Sequence, residues 1–314
     1  MSETEASLTH KISSAQHLQS VVRTMKALAA SSIGQYTQSA RALKDYDHTV
    51  EAGLEVCLRE NAQNKLKQIS NSGLSQISSQ KSDTTCVIVF GSDQGLIGQF
   101  NEVIAEYTLA NIKALSGHLQ FFAVGVRIQT LLLDAGIKEI DLFAVPSSVQ
   151  AIGPLVGRIQ IATEKNRHRD ESAHVYLFYN RPKSGALYEP VNQRLLPLDK
   201  QWSDDLLKMK WPGRVLPEII GGTYKTLHGL IREYLFISIF RSCAESLASE
   251  NASRLAAMQR ADKNIDELLE SLRSTYHRLR QGSIDEELFD VVAGFEALTN
   301  KGEPQGRERR GQRK

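Results

Sequence analysis

The chain has 314 residues, with 38 Lys plus Arg against 36 Asp plus Glu and a formal net charge of +2. That balance excludes a protein whose main business is coating nucleic acid, which would be far more basic. Apolar residues at 41% and charged residues at 24% exclude wholesale disorder. No run approaches the roughly 18 apolar residues of a membrane helix, so no direct membrane insertion is expected. Met1–Ser7 carries Glu3 and Glu5 and no apolar segment, so it does not read as a secretory or organellar leader.

Proline placement divides the chain. None precedes Pro146, six more fall between Pro154 and Pro217, and only Pro304 follows. Proline breaks helix interiors, so both ends are free to form long helices. At the first end, Ile12, Ala15, Gln19, Val22, Lys26, Ala29, Ile33, Tyr36, Ala40, Leu43, Asp47, Val50, Leu54 and Cys57 step alternately by three and four. This 3.5-residue period is the seam of a coiled coil. It predicts one helix from about Thr9 to about Gln68, followed by a loop at Ser70–Ser82.

The middle alternates between short apolar runs and helical spacing. Thr85–Phe90, Leu119–Val124, Glu139–Val145 and His174–Tyr179 read as strands. Asn101–Leu115, Arg127–Ala135 and Val149–Asn166 read as helices, and Leu187–Pro197 as one or two edge strands. Such alternation predicts a mostly parallel sheet with helices on both faces. Trp202–Pro217 reads as irregular. From Thr223 to about Asn300 the seam returns through Ala244, Ala248, Asn251, Leu255, Met258, Asp262, Ile265, Leu269, Leu272, Tyr276 and Leu279. Leu288, Val291, Phe295 and Leu298 continue an apolar face past Gly282, where the helix could be disturbed. Lys301–Lys314, basic and Gly-rich, reads as a disordered tail.

The two ends complement each other in charge. Ala6–Lys44 holds five basic residues and no acidic one, whereas Arg241–Asp290 holds ten acidic and seven basic. The expected fold is therefore a long antiparallel coiled coil of the N- and C-terminal helices plus a central, mostly parallel, Rossmann-like α/β domain. At 1.5 Å per residue each helix would be on the order of 90–115 Å long, so part of the pair should project from the base. The expected divisions are residues 1–70, 71–217, 218–300 and 301–314.

Chemistry-bearing motifs are sparse. Gly91–Gly98 follows a strand and precedes a helix, where a phosphate could sit. No Gly-x-Gly-x-x-Gly or Gly-Lys-Ser/Thr accompanies it, so a tight turn with Asp93 bonding nearby amides is the plainer reading. The eight histidines show no metal spacing, and Cys57, Cys86 and Cys243 are too far apart in sequence for a zinc framework. No catalytic residue, cofactor or metal is expected.

Specific stretches carry a family resemblance. Ile12–Gln16 and Val21–Ser31, with Thr24-Met25-Lys26 at their centre, resemble the N-terminal helix of the gamma subunit of F-type ATP synthases. Ser249-Glu250-Asn251-Ala252-Ser253-Arg254, Tyr276–Gln281 and Ser283–Leu288 are similar to that family's C-terminal signatures, and Gly91–Asn101 to its central turn. The sequence departs from the family at Val21–Thr24, at Asp285-Glu286 and in the basic tail, which suggests a divergent bacterial version.

The resemblance implies a non-catalytic rotor shaft. It would turn within a ring of alpha and beta subunits and stand on the membrane c-ring beside an epsilon subunit, at the cytoplasmic face of a bacterial inner membrane. It also implies that Met25, Lys26, Arg254, Arg280, Gln281, Glu286 and Glu287 contact the catalytic beta subunits. Two other readings compete. One is a phosphate-binding α/β enzyme with helical arms. The other is a coiled-coil scaffold or nucleic-acid clamp, which would depend on salt-sensitive contacts of the tail.

Overall fold

The computed structural model describes residues 4–69, 84–115, 117–167, 174–184, 186–197, 217–220 and 222–300. The expected loop Ser70–Ser82, nearly all of Trp202–Pro217 and the basic tail lie outside the described residues. The chain divides into two compact units, Met25–Met258 and Met1–Thr24 with Gln259–Lys314.

In order, the elements are α1 (Glu5–Ala42), α2 (Lys44–Ile69), β1 (Thr84–Phe90), α3 (Phe100–Ile112), β2 (His118–Val124) and α4 (Val126–Asp134). There follow β3 (Ile140–Phe143), α5 (Val149–Arg167), β4 (His174–Lys183), β5 (Ala186–Leu196) and α6 (Thr223–Asn300). The strands form one sheet in the order β3-β2-β1-β4-β5. The pairs β1–β2, β2–β3 and β1–β4 are parallel, and β4–β5 is antiparallel.

Burial explains why these residues form this sheet. Strand β1 lies at its centre, and six of its seven residues are fully buried, Thr84 alone being half-exposed. A strand covered on both faces must be apolar almost throughout, as Thr84–Phe90 is. Its side chains alternate between two cores. Cys86, Ile88 and Phe90 pack with α5 and with Leu235, Ile239, Cys243 and Leu247 of α6. Val87 and Val89 pack with Ile104 of α3 and with Ile128 and Leu132 of α4. Helices therefore cover both faces, as strand–helix alternation predicts. Pro190 is accommodated because β5 is an edge strand, where a missing N–H costs no interior ladder bond.

The terminal helices keep their seams. All fourteen positions from Ile12 to Cys57 named above are buried or half-buried, and so are all eleven from Ala244 to Leu279. Apolar residues off the seam, Leu18, Val21 and Leu28, are more than half exposed. Two expectations need correcting. The N-terminal helix is not continuous to Gln68 but breaks between Ala42 and Lys44. Neither Gly nor Pro marks the break, which falls where the packing partner changes. Tyr36 and Ala40 pack on the sheet core, whereas Leu43, Val50 and Leu54 join a separate cluster with Tyr234 and Ile237 of α6. Conversely, α6 runs through Gly282 without interruption.

Candidate functional site

In the unit of Met1–Thr24 and Gln259–Lys314, α1 and α6 pair antiparallel. Gln19 donates to Asp266, and Arg23 meets Asp262 at 3.2 Å, so four residues forward on one helix match four back on the other. The cation, Arg23, lies on α1 and the carboxylates, Asp262 and Asp266, lie on α6, as the charge counts anticipate. The pairing has an end. Leu8 is fully buried, and Leu272, Tyr276 and Leu279 are half-buried opposite the start of α1. Beyond Leu279 every residue through Glu296 is exposed. That stretch is not polar: Leu288 is 61% exposed, Phe289 72% and Phe295 69%, with Ile284, Val291 and Val292 beside them. A helix carrying this much uncovered apolar surface next to Asp285, Glu286, Glu287 and Asp290 has the character of a docking element.

Four of the seven residues singled out by sequence, Arg280, Gln281, Glu286 and Glu287, lie on this exposed stretch. Met25, Lys26 and Arg254 belong to the other unit and are half-buried. Arg254 is not a free cation. Its Nη2 donates to Glu250 at 2.6 Å and its Nη1 to Asn251 at 3.2 Å, and its side chain is 13% exposed against 8% for Glu250. Burial holds the Glu250 carboxyl above the usual carboxylate range, Arg254 opposes this, and Asp93 adds to it. Sequence reasoning missed Glu250 as a partner, although the i, i+4 spacing of Glu and Arg on a helix was the available signal. It also missed Phe289 and Val292, which stand off the seam of Leu288, Val291 and Phe295.

The turn after β1 proves to be a staple. Ser92 N donates to Asn101 Oδ1 at 3.0 Å, and Asn101 Nδ2 to Ser92 Oγ at 2.9 Å. Asp93 accepts from the backbone of Val126 at 2.9 Å and of Val145 at 3.0 Å, joining the start of α4 to the end of the β3 segment. A carboxylate thus already occupies the N-terminal end of α4, where an anion would be favoured. Ser253 of α6 donates to the carbonyl of Ile97, and Asn180 of β4 to that of Phe100 at 2.9 Å. In doubly wound sheets this end of the central strands is the ligand crevice. Here Asn101, Asn180 and Ser253 pin the turn by hydrogen bonds, and a cavity of about 420 Å³ lined by Gly95–Gly98, Asn101 and Arg127 lies beside it. Among the described residues no group of His, Cys, Asp or Glu is arranged to hold a metal.

Comparison with known proteins supplies the family. A family model described as ATP synthase matches residues 4–298. The fold is similar to a chain of the central stalk and c-ring of the Tetrahymena thermophila mitochondrial ATP synthase, with 18% identity, TM-score 0.50, and coverage of 77% of this chain and 99% of that one. It is similar to a chain of the Euglena gracilis mitochondrial ATP synthase, OSCP/F1/c-ring, at 14% identity and TM-score 0.62, covering 98% and 99%. A chain of the Euglena gracilis rotor matches at 14% identity and TM-score 0.56, covering 89% and 98%. At these identities the structural likeness is one of fold, and the family model carries the assignment. With its seamed terminal helices and this match over nearly its whole length, the chain belongs to the ATP synthase gamma-subunit family, as a non-catalytic central-stalk rotor subunit of the F-type enzyme.

Proposed function

We propose that the exposed end of α6 turns inside a ring of alternating alpha and beta subunits. In this reading the α/β domain rests on the membrane c-ring beside an epsilon subunit, at the cytoplasmic face of a bacterial inner membrane. The helix past Leu279 carries the reading, because its apolar residues Leu288, Phe289 and Val291 and its carboxylates Asp285, Glu286, Glu287 and Asp290 are exposed to solvent.

The mechanism follows from differential contact. A rotor changes the state of a catalytic subunit only if it interacts more favourably with one state than another. Shifting a two-state equilibrium from 1:99 to 99:1 needs about 5.5 kcal/mol of difference. Full burial of one large apolar side chain contributes roughly 1.5–3 kcal/mol. Two to four such side chains, covered in one orientation and uncovered in another, therefore suffice. Leu288, Val291 and Phe295 recur at helical spacing, while Asp285, Glu286, Glu287 and Asp290 supply carboxylates along the same stretch. Rotation would present these surfaces to each beta subunit in turn and drive it through its binding states.

Within this scheme Arg280, Gln281, Glu286 and Glu287 act as direct contacts of the beta subunits. Met25 and Lys26 add contacts from α1, and Arg254 joins them once Glu250 yields it to a partner carboxylate. Residues 1–70 and 218–300 serve as shaft, and 71–217 as the base. The test is affinity capture of the full chain from its host. Recovery of alpha and beta subunits in about threefold excess over this chain supports the reading, and capture without them rejects it. The purified chain alone should hydrolyse no ATP.

A further inference from the structure

We infer that the cavity at the break between α1 and α2 is a binding site for a small amphipathic anion, a phosphate or carboxylate head on a short apolar body. The cavity has a volume of about 370 Å³ and lies wholly within the unit Met25–Met258. That volume is at the lower end of the roughly 300–1,000 Å³ range of small-molecule sites. Its walls are apolar: Ala40 of α1, Leu43 at the break, Pro182 of β4, and Ile237 and Ala248 of α6.

Charge decides the class of ligand. Among the described residues four cations line the cavity, Arg41, Lys44, Arg181 and Arg241, against two carboxylates, Asp47 and Glu245. The cations differ in how far they are already committed. Arg241 is paired with Asp47 at 2.8 Å, and Arg181 with Glu189 at 3.1 Å. Arg41 and Lys44 are exposed and make no hydrogen bond or ion pair with the described residues. They stand three residues apart across the helix break, so both can reach one head group at the rim. A head group there would cost little desolvation of protein charge, because neither cation has a partner to give up among the described residues. The apolar body would then cover Ala40, Leu43, Pro182 and Ile237. An inorganic anion would use only the rim, and a neutral amphiphile only the walls. Among the described residues no aromatic ring lines the cavity to stack a base, which argues against a nucleotide.

The site touches α1, the helix break, the end of β4 and α6 together. A bound ligand would brace the one interruption in the N-terminal helix. The inference does not depend on the rotor mechanism.

Isothermal titration of the full chain with octyl phosphate, octanoate, octanol and inorganic phosphate tests it. Saturable binding of octyl phosphate or octanoate is expected, at least about tenfold tighter than octanol or inorganic phosphate. The stronger of the two amphiphiles identifies the head group. Arg41→Ala with Lys44→Ala should weaken binding about tenfold or more with an unchanged melting temperature, both side chains being exposed. Ala40→Leu, which fills the cavity and leaves every charge in place, should abolish it. Octanol or inorganic phosphate binding as tightly as the amphiphiles would overturn the inference. So would unchanged binding in the folded double variant, or no saturable binding at all.

Discussion

Gly125 has φ of 117°, and a Cβ there would stand 2.7 Å from the Ser92 carbonyl oxygen. Both its conformation and its space demand glycine. Gly125→Ala should therefore cost at least about 3 kcal/mol in urea denaturation, through strain at the β1 turn. Ser253→Ala removes the hydroxyl that donates to Ile97, and it should cost roughly 1–2 kcal/mol with the fold retained. The Glu250–Arg254 pair behaves differently from its short distance. Burial outweighs Arg254 in setting the Glu250 carboxyl, so the pair is dominated by desolvation. Glu250→Ala leaves a largely buried guanidinium with Asn251 alone and should cost about 3 kcal/mol, whereas Glu250→Met with Arg254→Leu should recover most of that loss. Tyr179 is pushed up to about 12 by burial, with Glu245 adding to it. Neutral Tyr179 contributes its full stability below the unfolded value near 10, and the contribution is lost as pH rises through the folded value. Across that alkaline window Tyr179→Phe should lose roughly 2 kcal/mol less stability than the parent chain.

Among the elements, α6 is the least ordinary, at 78 residues. No single apolar face explains it, because its surroundings change along its length. It packs on the sheet and α5 near Leu247, pairs with α1 near Leu269, and is exposed past Leu279. Gly282 lies in the exposed part, with open space where a Cβ would be. Gly282→Ala should therefore raise helix stability by roughly 0.5–1 kcal/mol, read from the thermal melting of the C-terminal helix. In the α1–α6 pair, Arg23 and Asp262 are 3.2 Å apart with side chains 57% and 13% exposed. A double-mutant cycle should return a coupling below about 1 kcal/mol that falls with added salt. The pair's register thus rests on seam residues such as Leu8, Ala15 and Leu269, with the charges setting direction.

At the scale of the molecule, deletion from Gly282 onward removes a stretch whose described side chains, through Glu296, are exposed. The truncated chain should fold with nearly unchanged stability, while its assembly or coupling with alpha and beta subunits is lost in reconstitution. Retained coupling would remove the proposed role of that stretch. The sequence by itself determined the two seams, the apolar strands, the strand–helix alternation and, through Tyr276–Leu288 and Thr24–Lys26, the family. Those features are written as periodicity and local spacing, which record how often a residue must be buried. Tertiary structure alone decided the break at Leu43, where α1 passes from the sheet core to a second cluster. It alone tied the β1 turn to Asn101, Asn180 and Ser253, and left Phe289 and Phe295 exposed. Periodicity marks which side of a helix turns inward, but it does not say what will be there to meet it. That partner is fixed only when distant segments pack together.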